Sequence, residues 1–445
     1  MRFGFSSMFI SLFSIGIGSF SAHAADTWKS TLHGDLEVDS DNYEYALGPT
    51  NRYLETARFS LDETIKYGKK FKIKLDPLLQ ADPLDHSPSE RYWFDVPAGY
   101  VQYQASGFTL QLGMNTYTWG VTDGYNPLDV VSAKRYQDPL KADKLGAPSA
   151  YVKKEFGKFS VEGIYIPFQR RSILPGENSR WLPREVLSTT SIGSGTQSAT
   201  LYLPPNLDYS YLQYQERDRA LENNVGMRMQ VDGILKGLDA SLEGFEGAAG
   251  TPAIDVGASG VGTFTNQGLI IHANPLVNLT PVYYRQQVAG GSLVYANFGM
   301  IFRAEAAITR VISRGSDLPG HADEWVFGIE RPVTVASRDL TVLLQGTYAR
   351  HEDPLSNSTT SLNRIFDRAG ILGFRYSFSE KLSAMASGLY DTESHGELAH
   401  LEAAYSINDA WKVGIAGDAL WGDPSTPLGS YNKNDRIIVS AKTAF

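Results

Sequence analysis

The chain has no cysteine among its 445 residues. That excludes thiol nucleophiles, zinc-thiolate centres and any disulfide framework. After Phe20 it also lacks any apolar run approaching the ~20 residues that a membrane-spanning helix needs, so a helical membrane protein is excluded. No Pro/Ser-rich linker, charge block or change of composition divides it into domains. Nothing in it cradles nucleotide phosphates, and no basic stripe with interleaved aromatics points to nucleic acid. His33 with Asp35 and His400 with Glu402 pair suitable side chains, yet no serine forms a recognisable catalytic motif with any histidine. The acidic stretch at 39–44 lacks the glycine and closing glutamate of an EF-hand loop. Neither an enzyme nor a cofactor nor a metal is expected.

What is present starts with an export signal. Arg2, an apolar stretch to Phe20 and the small-x-small end Ala22-His23-Ala24 predict that residues 1–24 are removed and that the mature chain begins at Ala25. The remainder, 25–445, reads as one domain.

Its dominant signal is a period of two, the mark of a β-strand. In Asn434 to Phe445, Ile437, Val439, Ala441 and Phe445 share one face while Arg436, Ser440 and Lys442 share the other; Ile438 breaks the pattern. Trp411 to Trp421 repeats it, with Val413 and Ile415 on the oily face and Lys412 and Asp418 opposite. Ten steps of ~3.3 Å tilted by ~40° rise about 25 Å, the height of the apolar band of an outer-membrane barrel. Trp411, Trp421, Tyr405 and Phe445 are then expected in an interfacial aromatic girdle.

Short turns (67–70, 105–107, 155–158, 232–237, 379–381, 407–410) alternate with long segments (40–51, 81–96, 117–148, 169–220, 247–278, 314–322, 351–365, 391–396, 422–434). With 280–297 taken as one strand, this predicts an all-β, transmembrane, antiparallel up-and-down barrel of about 18 strands, 16 being the alternative. Short turns would be periplasmic and long loops extracellular. A soluble sandwich would also alternate, but would have no reason to segregate its connections by length.

Trp119-Gly120, then Asp123-Gly124, Asn126-Pro127 and Asp129, then Leu145-Gly146 and Pro148 resemble a segment found in large porin-like outer-membrane barrels of bacteria. That group includes alginate-export-like and uncharacterised members. The stretch before the last strand, from Pro427 to Ile437, is similar to the group's ending. The resemblance implies a Gram-negative outer-membrane location. The aromatic C-terminus resembles the ending that such barrels present to their insertion machinery.

Segment 117–148 is the expected constriction loop, with Lys134, Arg135, Lys141 and Lys144 as a cationic lining. Inward charges on the walls include Arg58, Lys72, Lys74, Arg228, Arg285, Arg303 and Arg375, with Glu305 beside Arg303 as an ion-pair candidate. The expected role is passive passage of small hydrophilic solutes, with anions favoured if those cations face the pore. The alternative is a loop-blocked barrel serving as an anchor, or as a conduit in a polymer export assembly such as one for polysaccharide. Expected partners are outer-membrane lipid, lipopolysaccharide phosphates and the solutes themselves; no nucleic acid is expected, and self-association is compatible with the oily face.

Overall fold

A computed structural model describes residues 28–445 apart from 48–51, 84–90, 183–189, 193–198, 203, 205, 266–267, 314, 316, 353–358, 361–363 and 425. The signal and its cleavage site lie outside the described residues.

Eighteen strands form one sheet. In chain order they are β1 (Trp28–Tyr43), β2 (Tyr53–Tyr67), β3 (Phe71–Ala81), β4 (Tyr92–Ala105), β5 (Phe108–Asn115), β6 (Ala147–Phe156), β7 (Phe159–Phe168), β8 (Glu222–Leu235) and β9 (Leu238–Ala248). There follow β10 (Arg285–Asn297), β11 (Met300–Val311), β12 (His321–Val335), β13 (Arg338–His351), β14 (Ala369–Ser377), β15 (Leu382–Asp391), β16 (Glu397–Ser406), β17 (Trp411–Trp421) and β18 (Arg436–Ala444). Each pairs antiparallel with its sequence neighbour, as β7 does with β8 from Tyr165↔Val225 to Phe159↔Val231. β18 closes onto β1 from Asp35↔Ala444 to Tyr43↔Arg436. Closure leaves no strand edge unpaired, which matters in hydrocarbon because each unsatisfied backbone group there costs several kcal/mol.

Closure runs through the last residue. Phe445 and Gly34 exchange backbone hydrogen bonds of 2.8 and 2.9 Å. The Phe445 ring lies over Gly34, where any Cβ would collide with it, and stacks on Phe59 with centroids 6.2 Å apart.

The two faces separate as the alternation requires. Ile437, Val439, Val413, Ile415, Leu401 and Leu372 are exposed on the outer face, as are Trp411, Trp421, Tyr405 and Phe445. Arg436, Asp418, Glu305, Glu243 and Gln345 point into the barrel and are buried there; Ile438 also turns inward and is 3% exposed.

At one end the strands are joined by tight turns such as 68–70, 106–107, 298–299 and 336–337, with left-handed backbone at Gly68, Gly107, Gly299 and Ser337. The other end carries the long segments 116–146, 169–221 and 249–284. The third is not irregular. Ala253–Thr265 and Gly268–Tyr283 pair as an antiparallel ribbon in a sheet separate from the barrel. The strand read from sequence as 280–297 therefore divides at Tyr284, between ribbon and wall. One consequence is a correction: Arg285, expected inside, lies on the outer face, bound to Glu246 at 3.2 Å.

Candidate pore and its inner loop

Segment 116–146 does not project; it lies inside the barrel. Tyr117, Trp119, Leu128 and Val131 are buried against Ile164 and Ile166 of β7, Phe245 of β9, Val288 of β10 and Ala307 of β11. Gly226 of β8 gives Trp119 its place, since a Cβ there would sit 2.7 Å from the indole. An apolar strip on the inner wall is unusual for a water-filled barrel. Here it is covered by the loop, which removes that surface from water.

Polar groups then fix the loop's path. Glu305 accepts hydrogen bonds from the backbone N–H of Val121, from Thr122 N at 2.5 Å and from Thr122 Oγ1 at 2.8 Å. Gln345 accepts from Gly124 N and donates to Tyr125 O, both at 3.1 Å. The Tyr125 hydroxyl donates to Glu324. Within the loop, Asn126 donates to Trp119 O at 2.7 Å and accepts from Leu128 N at 3.0 Å, and its amide occupies the space a side chain at Gly120 would need. Gly120 has φ of 85°, where glycine carries no Cβ penalty. Gly146 packs against the carbonyls of Val96 and Pro97. Trp119, Gly120, Asn126 and Gly146, singled out in the sequence by resemblance, thus shape and seat this loop.

The four loop cations split into two pairs. Lys134 and Lys144 both bind Asp129, at 3.0 and 2.5 Å, and Lys144 also donates to Thr118 Oγ1 and Tyr117 O. Burial lowers the Lys144 pKa, with Asp129 pulling the other way. These two hold the loop together. Arg135 and Lys141 instead border a cavity of about 560 Å³ between the loop and the wall formed by β1, β2 and β16–β18. Arg135 lies 4.2 Å over the Trp93 ring and donates to Gln80 at 3.0 Å. Lys141 keeps 46% of its side chain exposed and sits 3.9 Å from Asp39 of β1. Arg58 of β2 reaches back from the wall to Asp143 of the loop at 3.2 Å. Two ion pairs of opposite polarity therefore cross between loop and wall.

Seven acids line that cavity, namely Glu37, Asp39, Asp41, Asp82, Asp138, Asp143 and Glu402, against the four cations Arg58, Arg135, Lys141 and Arg180. Asp41, Asp138 and Asp418 converge on Arg436, at 3.0, 2.6 and 2.6 Å, and His400 bonds Asp418 at 2.6 Å. The guanidinium is fully enclosed, so its charge is compensated locally. Asp138 also caps the short 3₁₀ turn Pro139–Lys141 through Leu140 N. It thereby ties the loop to the seam strand. Arg180 stacks 3.4 Å over Tyr43 and donates to Asn434 at 3.0 Å; burial lowers its pKa to about 10. The sequence carries no signal for the roles of Asp41, Asp138 and Tyr43, and Arg180, which by charge alone suggests an outer vestibule that attracts anions, is instead buried. The Asp138-Pro139 step was the only local cue, and it marks a turn rather than a clamp.

The remaining wall candidates lie apart from the cavity. Lys72 donates to the Tyr100 hydroxyl at 3.1 Å, and Lys74 binds Asp62 and Asp76 at 2.5 and 2.9 Å. Arg228 pairs with Glu243 at 3.0 Å. Arg303 pairs with Glu330 at 2.6 Å and Asp123 at 3.4 Å rather than with Glu305, which the loop has taken. Arg375 is exposed on β14, towards the tight-turn end.

No known family's sequence profile matches this chain, and no curated protein sequence does. Solved structures do. The Pseudomonas aeruginosa protein OccK2 (OpdF), in a complex with glucuronate, aligns over 94% of this chain and 98% of its own, with 11% identity and a TM-score of 0.51. OccK5 (OpdH) of the same organism aligns over 94% and 97%, with 9% identity and a TM-score of 0.49. A mutant of the Rh. blastica porin aligns over 94% and 100%, with 12% identity and a TM-score of 0.41. At such identities the likeness is one of fold. The chain has the closed barrel fold of bacterial outer-membrane porins.

Proposed function

We propose that this chain is a passive channel of the bacterial outer membrane for small hydrophilic solutes. The observation that carries the proposal is the inward loop 116–146, which lies within the barrel and leaves a charged cavity of about 560 Å³ between itself and the wall, while the outer face stays apolar. Selection would then follow from size and from the charges around the gap. Lys141 and Arg135 support a pull on anions, and the glucuronate held by OccK2 makes uronates natural first solutes to try. The acids of β1 and Glu402 oppose it, so charges of both signs are part of the proposed filter.

Purified protein in a planar bilayer should give discrete conductance steps, reduced by competing sugars or carboxylates that enter the cavity. A barrel that inserts and never conducts would overturn the channel. The resemblance to the alginate-export-like group supports the second reading, a conduit within a polymer export assembly. Its motif residues are accounted for by the seating of the loop, so the solute channel is the better supported of the two.

A further inference from the structure

On the long-loop halves of the strands, the outward-facing cations among the described residues are confined to one sector. They are Arg285 on β10, Arg310 on β11 and Arg350 on β13, with Arg368 one residue before β14. Arg285 is satisfied by Glu246 and by the carbonyls of Glu222 and Asn223. The other three differ. Arg310 and Arg350 are exposed, and their side chains make no hydrogen bond or ion pair with any described residue. Arg368 has only Glu393, at 3.6 Å with both side chains more than half exposed, a pair that water and salt screen.

Their placement sets the depth. Arg310 stands opposite His321, and Arg350 opposite Asp323, on either side of β12. Strands lie ~4.8 Å apart, so the two arginines are separated by about 10 Å across the sheet. One step toward mid-barrel, Trp325 pairs with Tyr348, both exposed outward, and the Arg368 guanidinium lies 5.8 Å from the Tyr348 ring. Tyr390 continues the row on β15. Aromatics of this kind mark the boundary between hydrocarbon and headgroups, so the three guanidinium groups stand at headgroup level.

Guanidinium groups that face outward with at most one exposed partner among the described residues have no evident use in conduction. Their planar forks suit phosphate oxygens, and apolar rings directly below suit acyl chains.

We propose that Arg310, Arg350 and Arg368 form a binding site for the phosphorylated glycolipid of the outer leaflet, the guanidinium groups taking its phosphates and Trp325, Tyr348 and Tyr390 its acyl chains. The site rests on the outer-membrane reading, because the long-loop end must face that leaflet. It does not depend on an open pore.

The test uses the full barrel in detergent, with binding of bisphosphorylated lipid A followed by native mass spectrometry beside its dephosphorylated analogue and inorganic phosphate. Three charges contributing about fivefold each predict that R310Q/R350Q/R368Q weakens lipid A binding by about a hundredfold. The corresponding triple lysine variant should keep most of it. Both variants should still migrate differently boiled and unboiled, and should conduct like the parent. Equal binding of the dephosphorylated analogue, unchanged binding by the glutamine variant, or displacement of lipid A by inorganic phosphate would each overturn the site. Absence of conductance in the parent would instead overturn the channel and leave the lipid result standing.

Discussion

Two long segments leave the same end of this barrel and meet opposite fates. Segment 116–146 goes inside and buries Trp119, Leu128 and Val131 against the wall. Segment 249–284 becomes a ribbon whose residues 257–265 are all exposed, Phe264 at 86%. Both contain glycine and apolar residues, so composition does not separate them. What differs is the wall's offer of partners. Glu305, Gln345, Glu324 and Arg436 all aim at the first segment, whereas the ribbon finds its partners in other loop strands, through Ile254, Val277 and Leu279 near its base. A long loop in a barrel is placed by complementary groups far away in sequence.

The sharpest way to break the contrast is to remove those groups. Arg436→Met would leave Asp41, Asp138 and Asp418 buried together without their cation, and should cost about 3–5 kcal/mol. A lower thermal transition, with earlier loss of the unboiled gel form, would show it. Trp119→Ala should cost a similar 3–5 kcal/mol, but in loop docking rather than in barrel closure. The expected signature is larger, noisier conductance with the barrel's gel behaviour kept. An unchanged single-channel current would mean that the loop does not narrow the pore.

These two substitutions also mark the limit of what can be read in the sequence. The alternating faces of β17 and β18 were legible because the period is local, and the segregation of short and long connections needed only counting. The seating of the inner loop was half legible. Asp123, Asn126 and Asp129 announce a turn-rich segment, but Glu305 lies 183 residues from Thr122, and Arg436 lies 298 from Asp138. No pattern along the chain links such positions. Arg285 falls on the face opposite to the expected one for a related reason. The ribbon strand runs almost without a break into β10, so nothing local in the sequence marks the change of sheet at Tyr284.

The loop's four cations sharpen the comparison within the loop itself. Lys134 and Lys144 are committed to Asp129, and Lys141 faces the cavity. Lys141→Glu should therefore move the reversal potential toward cation preference in a salt gradient, by an amount that shrinks as salt screens the site. Lys144→Met should leave that potential where it was and lower thermal stability by about 1–3 kcal/mol, since it strips Asp129 of a buried partner. Equal shifts from both would mean that Lys144 reaches the permeation path.

The smallest effect belongs to the ribbon. Its base shares a cluster with Leu174, Leu207 and Tyr209 of the preceding long segment, so shortening it there would disturb packing. Its tip touches no such cluster, and the edge of residues 257–265 away from Gly268–Tyr283 pairs with no described strand. The other strand of the tip is paired, since Leu269–His272 lie parallel to Ala199–Tyr202. Excising 259–273 and rejoining the two strands by a tight turn should therefore release that loop strand while leaving conductance and the barrel's thermal transition unchanged. A clear drop in conductance would place the tip over the pore mouth and erase the distinction drawn between the two segments. A gain in solubility without any change in current would instead mark the bare edge as a pairing liability of the kind that exposed strands carry.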